Sequence, residues 1–180
     1  DPVALYEENY RLEPKSSRAL SDLGRVMLMN NRPREALAVF NKMIAMGPVM
    51  TGGKTKVSGD LVVNLVWALA ELEFDGEALK LASQALGPGS AMNNVNKARV
   101  LTNRGSIHAR KGRFPEAVMD YRESLQNFPY SPQAMDNLIK VLLLTGEKAE
   151  ARLWFDRLAD LDLHYALSSN LDGVRRSLNE

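Results

Sequence analysis

Apolar residues recur at helical spacing along most of the chain. Leu20, Leu23 and Met27 stand at i, i+3 and i+7, which places them on one face of a helix. Glycine and proline interrupt the pattern at intervals and divide it into ten segments. We therefore predict an all-α fold with helices at residues 2–13, 16–30, 33–46, 59–73, 75–86, 94–111, 114–127, 131–145, 148–161 and 164–178.

The residues at the breaks support these boundaries. Gly112 and Gly146 follow predicted helix ends, where a left-handed residue commonly closes a helix. Pro33 and Pro115 fall in the first turn of the next helix, where the missing N–H costs little. Each break is therefore predicted to be a turn between two helices.

One alanine and one aromatic residue mark an internal repeat. The aromatic stands four positions after the alanine in three places, Ala36-x-x-x-Phe40, Ala117-x-x-x-Tyr121 and Ala151-x-x-x-Phe155. The gaps from Tyr6 to Phe40 and from Tyr121 to Phe155 are both 34 residues. With a glycine twelve residues before two of the alanines, this pattern resembles the tetratricopeptide repeat, which reads W-x-x-L-G-x-x-Y, A-x-x-x-F and then P.

The resemblance implies a right-handed α-solenoid of antiparallel helix pairs, forming one domain over residues 1–180. Residues 1–16 correspond to the second helix of a unit whose first helix is missing, and residues 166–180 to a capping helix. Between them, about four full repeats are expected at 17–50, 59–92 (divergent), 98–131 and 132–165. Extra residues enter between repeats at 50–58 and 89–96.

The repeat has a packing explanation. Small residues at Gly24 and Ala36 let the two helices of a pair approach, and the aromatic fills the gap towards the next repeat. A larger residue at Ala117 should therefore overpack the pair. Arg104 and His108 occupy positions that are apolar in the family, so the helix that carries them should depart from standard packing or keep them at a solvated edge.

The insertion at residues 51–58 contains Gly-Gly-Lys-Thr, the tail of a phosphate-binding loop. That loop needs an earlier glycine between a strand and a helix, so that backbone amides point at the phosphate. Pro48 stands at that glycine's position, and the preceding segment is helical. We interpret the insertion as a flexible loop between repeats.

Composition gives little support for catalysis. There is no cysteine, and the two histidines, His108 and His164, show neither a paired metal-ligand spacing nor a nearby nucleophile motif. The sequence therefore predicts no enzymatic activity, no metal and no cofactor. No apolar run is long enough to cross a bilayer, so no membrane insertion is expected in this segment.

The net charge is only +1, which argues against binding nucleic acid. This average conceals a local asymmetry, because no acidic residue occurs between Glu77 and Glu116. Seven basic residues fall inside that window: Lys80, Lys97, Arg99, Arg104, Arg110, Lys111 and Arg113.

Resemblance to the family assigns groove positions to the first helix of each repeat. At position six stand Asp22, Asn64, Asn103 and Asn137. The three asparagines resemble the asparagine ladder of the O-GlcNAc transferase superhelix, in which amides hold the backbone of an extended peptide. Alternatively, asparagine is merely tolerated on an exposed helix face.

Other groove positions would supply selectivity. They carry Arg25, Trp67 and Lys140 at position nine, Arg99 at position two and Arg110 at position thirteen. Arg99 and Arg110 share a helix face with Asn103, which favours a partner with an acidic group, since arginine binds carboxylates bidentately. A solvated basic face is the alternative.

These features favour a non-catalytic scaffold or adaptor that holds an extended, acidic protein segment in its concave groove. Two alternatives stay open. One is a regulatory or substrate-docking arm of a larger enzyme or of a membrane-anchored assembly factor. The other is a module that self-assembles into a homo-oligomer. The sequence identifies neither the partner nor the compartment, which could be cytoplasmic, periplasmic or secretory.

Overall fold

A computed structural model describes residues 1–14, 16–46, 50–51, 54–55, 58–161 and 178. The helices in these ranges are α1 (Pro2–Leu12), α2 (Ser17–Met29), α3 (Pro33–Ala45), α4 (Gly59–Glu71), α5 (Asp75–Ala85), α6 (Asn94–Arg110), α7 (Phe114–Asn127), α8 (Pro132–Thr145) and α9 (Lys148–Leu161). This confirms the prediction of an all-α repeat fold, and each boundary lies within two residues of the predicted one. The predicted helix at 164–178 lies outside the described residues except for Leu178.

The predicted loop at 51–58 contains a small element that sequence reasoning did not anticipate. Strand β1 (Met50–Thr51) pairs antiparallel with β2 (Lys54–Thr55), with Met50 opposite Thr55 and Thr51 opposite Lys54. Each strand has two residues. The pair is too short to give the amphipathic alternation by which strands are predicted.

Local sequence explains where several helices begin and end. The Ser16, Ser58 and Ser131 side chains each accept a hydrogen bond from a backbone N–H in the first turn of α2, α4 and α8. A serine cap of this kind contributes about 1 kcal/mol. Gly112 and Gly146 have φ of 71° and 83°, the left-handed conformation expected just past a helix end.

The chain divides into two compact units, residues 1–96 and 97–180. In the first unit each helix from α1 to α5 packs on the next, and α2 also contacts α4. Its core includes Leu20, Leu23, Phe40 and Leu65. This arrangement, in which the first helix of one pair also packs on the first helix of the next, is how repeats stack in a solenoid.

Gly24 shows why the repeat needs a small residue in α2. A Cβ at this position would lie 2.3 Å from Cε1 of Phe40, whose side chain is completely buried. The aromatic ring of α3 therefore fits directly against the backbone of α2. The glycine therefore makes room for the aromatic of its own helix pair, whereas the sequence led us to expect the aromatic in the gap towards the next repeat.

The second unit uses the same contact. A Cβ at Gly105 of α6 would lie 2.7 Å from Cε1 of Tyr121 in α7. The core formed by α7, α8 and α9 includes Leu138 and Phe155, and Leu178 packs against it. The assignment of residues 1–180 to a single domain, with the repeat bounds given above, stays a prediction.

Candidate functional site

Three of the predicted groove residues lie on one face of α6. Arg99, Asn103 and Arg110 stand at i, i+4 and i+11, which is one side of a helix. Arg99 and Asn103 are partly exposed and Arg110 is exposed. Each of the three also has a partner within the protein.

Buried polar groups also fix α6 to α7. The Thr102 hydroxyl lies 2.8 Å from that of Ser124, which in turn donates to the Ala98 carbonyl at 2.9 Å. Both side chains are buried, and each hydroxyl forms within the fold a hydrogen bond that replaces one to water. These bonds fix the rotation of α6 relative to α7.

Arg104 and His108 are also directed towards α7, where both side chains approach the Asp120 carboxylate. Arg104 Nε lies 2.9 Å from Asp120 Oδ2, and a second guanidinium nitrogen bonds to Oδ1. His108 Nε2 lies 3.8 Å from the same carboxylate, whose residue is 4% exposed. The hydrogen bond to Asp120 raises the pKa of Arg104.

Of the two outcomes expected for Arg104 and His108, a departure from standard packing is the one observed. Their polar groups meet Asp120 within the α6 and α7 pair instead of lying at a solvated edge. The positive charge of Arg104 is balanced there. Arg104 is therefore directed into the α6 and α7 pair and does not belong to the face that carries Arg99 and Arg110.

Asn137 of α8 meets α6 at Ser106. Asn137 Nδ2 donates to Ser106 Oγ at 3.2 Å, and the Tyr121 hydroxyl donates to the same atom at 3.2 Å. Ser106 Oγ in turn donates to the Thr102 carbonyl at 3.0 Å. One serine therefore links α6, α7 and α8, and it places the Asn137 amide beside the α6 face that carries Asn103.

Sequence reasoning did not single out Ser106. Its place in the repeat could have identified it, because Ser106 stands at position nine of its repeat. The other repeats carry Arg25, Trp67 and Lys140 at that position. A hydroxyl there carries no charge, and its partners come from two other helices. Only the folded chain reveals this connecting role.

The Tyr121 hydroxyl remains a donor at neutral pH. Burial raises the pKa of Tyr121 to about 12, and the hydrogen bond with Ser106 opposes that shift in part. Burial disfavours the phenolate because the charged form loses its hydration. The bonds centred on Ser106 are therefore insensitive to pH over the physiological range.

Lys140, the other predicted groove residue of α8, is exposed and paired. Its Nζ lies 2.6 Å from Asp136 Oδ2, one helical turn earlier. The Asp136 side chain is largely buried, so Lys140 compensates a carboxylate that has little water of its own. Lys140 therefore adds less net positive charge to this surface than its exposure suggests.

In the first unit, Asp22 and Arg25 lie together on α2. Arg25 Nη2 is 3.5 Å from an Asp22 carboxylate oxygen, and Arg18 is 3.9 Å from the other. Trp67 of α4 packs against the core and donates from Nε1 to Glu71 at 3.0 Å. These predicted groove residues are therefore at least partly exposed, but engaged with neighbours on their own helices.

Asn64 is placed differently from Asn103 and Asn137. Its side chain is 2% exposed, and its Oδ1 has no hydrogen-bond partner among the residues that the structure describes. An unpaired buried acceptor costs about 1–3 kcal/mol. The Asn64 amide is not presented to solvent, so a ligand could reach it only if α4 or its neighbours moved.

In the parts of the chain that the structure describes, no group of three or more His, Cys, Asp or Glu side chains is arranged to hold a metal ion. Among the helices α1 to α9, none is both long enough and apolar enough to span a membrane.

Comparison with protein families gives a clear match. A family model described as "Tetratricopeptide repeat" matches residues 64–132 and 102–163. A second model with the same description matches residues 17–42. The first model alone extends over more than half of the sequence, and the second matches the segment containing α2 and most of α3.

Solved structures show the same fold. TTC0263, a thermophilic TPR protein in Thermus thermophilus, has a TM-score of 0.74 at 19% identity over 98% of this chain and 87% of its own. PilF of Pseudomonas aeruginosa has 0.66 at 18% identity, covering 97% and 77%. YrrB, "a TPR protein with an unusual peptide-binding site", has 0.58 at 20% identity, covering 95% and 81%. At these identities the likeness concerns the fold.

Proposed function

Because the chain belongs to the tetratricopeptide repeat family, we propose that it is a non-catalytic scaffold that binds an extended, acidic segment of another protein on the surface formed by α6 and α8. Proteins with this fold generally serve as interaction modules. The observation that carries the assignment to α6 and α8 is the hydrogen bond between Asn137 and Ser106. It brings a second partly exposed amide beside the face of Asn103.

The two amides suit a ligand whose side chains vary. A carboxamide offers two N–H donors and a carbonyl acceptor, which complement the C=O and N–H groups of any extended backbone. Asn137 uses one donor on Ser106 and keeps further capacity for a ligand. Asn103 and Asn137 would therefore hold the main chain, and the side chains of the ligand would add selectivity.

The arginines supply that selectivity. Arg99 and Arg110 lie on the same face of α6 as Asn103, and the guanidinium group binds carboxylates in a bidentate geometry. Arg104 is left out of this role because its guanidinium group points into the α6 and α7 pair, where it bonds to Asp120. An acidic side chain on either side of the segment held by Asn103 would meet one of the two arginines.

The remaining predicted groove residues have lesser roles in this proposal. Lys140 lies one turn beyond Asn137 and would contribute at the edge of the surface. Asp22, Arg25 and Trp67 would form a separate polar contact area in the first unit. We leave Asn64 out of the contact set because its amide is buried.

The test uses a labelled peptide in which glutamate and glycine alternate, and a second peptide with glutamine in place of glutamate. Fluorescence anisotropy gives the dissociation constant for the unmodified chain and for the double variant Arg99→Ala/Asn103→Ala. We expect the variant to bind the glutamate peptide about tenfold or more weakly, because it loses a charge-assisted hydrogen bond and an amide contact.

A matched control removes the same two residue types from another helix. Arg34 and Asn41 are both exposed on α3, so Arg34→Ala/Asn41→Ala changes charge and amide content equally without touching α6. The control should retain the affinity of the unmodified chain. An unchanged dissociation constant for Arg99→Ala/Asn103→Ala, or an equal loss in the control, would refute the proposed surface.

A further inference from the structure

The Ser106 hydroxyl uses all of its hydrogen-bonding capacity within the fold. A hydroxyl has one hydrogen to donate and two lone pairs that accept. The hydrogen goes to the Thr102 carbonyl at 3.0 Å. The lone pairs accept from the Tyr121 hydroxyl and from Asn137 Nδ2, each at 3.2 Å. Ser106 therefore has no second hydrogen to offer to Asn137.

This arrangement decides which way the Asn137 amide faces. The nitrogen and the oxygen of a carboxamide are similar in size, so its orientation follows from the hydrogen bonds around it. With the amide turned over, Asn137 Oδ1 would stand against Ser106 Oγ, whose hydrogen is already on the Thr102 carbonyl. Two acceptors would then face each other with no hydrogen between them. The nitrogen is therefore the end of Asn137 that bonds to Ser106.

Tyr121 reinforces this preference. Burial raises the pKa of Tyr121 to about 12, so its hydroxyl keeps its hydrogen at neutral pH and occupies one lone pair of Ser106. To donate to Asn137, Ser106 would first have to break its bond to the Thr102 carbonyl. The hydroxyl is therefore held at three points, and it acts towards Asn137 only as an acceptor.

The oxygen of Asn137 is left for a partner outside the fold. Oδ1 makes no hydrogen bond to any residue that the structure describes. Asn64 Oδ1 also lacks a described partner, but it is buried, whereas Asn137 is partly exposed and its oxygen is not among the buried unpaired atoms of the described residues. An accessible oxygen on a side chain that is already held in place is a preorganised acceptor.

On the basis of the function given above, we propose that Ser106 is a positioning residue, which holds the Asn137 amide with its oxygen towards the ligand. This oxygen accepts a backbone N–H of the bound segment. Proline has no backbone N–H, so a segment with proline opposite Asn137 would be excluded. The partner is therefore an extended acidic segment that carries a residue other than proline at that place.

The test removes backbone N–H groups from the peptide of alternating glutamate and glycine. In one ester analogue, glycolic acid replaces every glycine. In a second, 2-hydroxyglutaric acid replaces every glutamate. An oxygen then stands in place of each of those N–H groups, so one of the two analogues lacks the N–H that meets Asn137. Fluorescence anisotropy gives the ratio between the dissociation constant of each analogue and that of the amide peptide.

For the unmodified chain, we expect one analogue to bind about threefold to tenfold more weakly, which is the range that one hydrogen bond contributes. Asn137→Ala should lower this ratio because the acceptor is gone. Ser106→Ala should lower it too, since the released amide can turn its nitrogen towards the ligand. A merely structural role of Ser106 would weaken all three peptides equally and leave the ratio unchanged.

Tyr121→Phe is the matched control. It removes another hydroxyl from the same cluster but leaves the bond between Asn137 and Ser106 in place. The ratio for Tyr121→Phe should therefore equal that of the unmodified chain. The positioning role is overturned if Ser106→Ala also keeps that ratio. The N–H contact is overturned, with the proposed function intact, if both analogues bind the unmodified chain as tightly as the amide peptide.

A measurement without ligand separates this proposal from the proposed function. In isotope-labelled protein, the side-chain amide of Asn137 should exchange its hydrogens with water more slowly than that of Asn41, which is exposed on α3. Ser106→Ala should remove this protection, and equal exchange with and without Ser106 would overturn the positioning role. A protected Asn137 amide in a chain that does not bind the amide peptide would refute the proposed function and the N–H contact, but not the orientation held by Ser106.

Discussion

The contact between Gly24 and Phe40 yields a sharp stability prediction. Gly24→Ala adds a single methyl group to α2. In an exposed helix this change is favourable by about 1 kcal/mol, since alanine has the higher helix propensity. In the fold, however, the new Cβ would stand 2.3 Å from Cε1 of Phe40.

The steric effect should be the larger of the two. Carbon atoms pack comfortably at about 3.5–4.0 Å, so the ring or the helix must shift by more than about 1 Å. Phe40 is completely buried and has no solvent to move into. Overpacking of this kind costs about 1–3 kcal/mol, and we expect a net loss of up to about 2 kcal/mol after the gain in helix propensity.

Urea denaturation followed by circular dichroism measures the change. With a slope of about 2 kcal/mol/M, the midpoint should fall by up to about 1 M. Gly76 in α5 of the same unit provides the control, because a Cβ there would meet nothing within 4 Å. Gly76→Ala should stabilise the chain by about 0.4–1 kcal/mol.

A double variant separates the steric cause from other effects. Phe40→Leu makes room beside Gly24, so Gly24→Ala should be less costly in that background than in the unmodified chain. The reasoning is refuted if Gly24→Ala is as stable as Gly76→Ala, or if its cost is the same with and without Phe40→Leu.

Three further changes test other parts of the fold. Ala117→Leu should lower the free energy of unfolding by about 1–3 kcal/mol, because Ala117 is fully buried; an unchanged melting temperature would contradict the helix register. Asn64→Leu removes a buried acceptor with no described partner, so the free energy of unfolding in urea should stay the same or rise by up to about 2 kcal/mol. A clear fall in that free energy would show that the amide is hydrogen-bonded. Burial raises the pKa of Tyr121 from 10.0 to about 12, so the free energy of unfolding should keep its full value below pH 10 and fall by about 2–3 kcal/mol as the pH rises to about 12. Tyr121→Phe should abolish this fall. A fall equal to that of the unmodified chain would argue against a buried phenol.

Local signals explain why the helices were predictable. Each helix is marked by its apolar stripe and by a capping or breaking residue such as Ser16 or Gly146, all within a few positions of one another. The contact of Phe40 with Gly24 was not predicted, although the repeat places both at fixed spacing, because the aromatic was expected to face the next repeat. The strand pair at Met50–Thr51 and Lys54–Thr55 was not predicted either, since two residues are too few for periodicity.

The candidate site was less predictable because its chemistry depends on partners distant in sequence. Arg104 was counted in a basic window along the chain, but the carboxylate that balances it belongs to Asp120 on another helix. Asn64 shares a register position with Asn103 and Asn137 and yet is buried. Register identifies the helix face of a residue, whereas burial depends on what packs against that face.

The central claim is that α6 and α8 together hold an extended acidic segment. The most direct measurement is a titration of isotope-labelled protein with the glutamate and glycine peptide, followed by the backbone amide shifts of every assigned residue. We expect saturable shifts concentrated around Arg99, Asn103, Ser106 and Asn137, and these shifts should weaken with added salt. Shifts confined to α7 and α9, or none at saturating peptide, would contradict it.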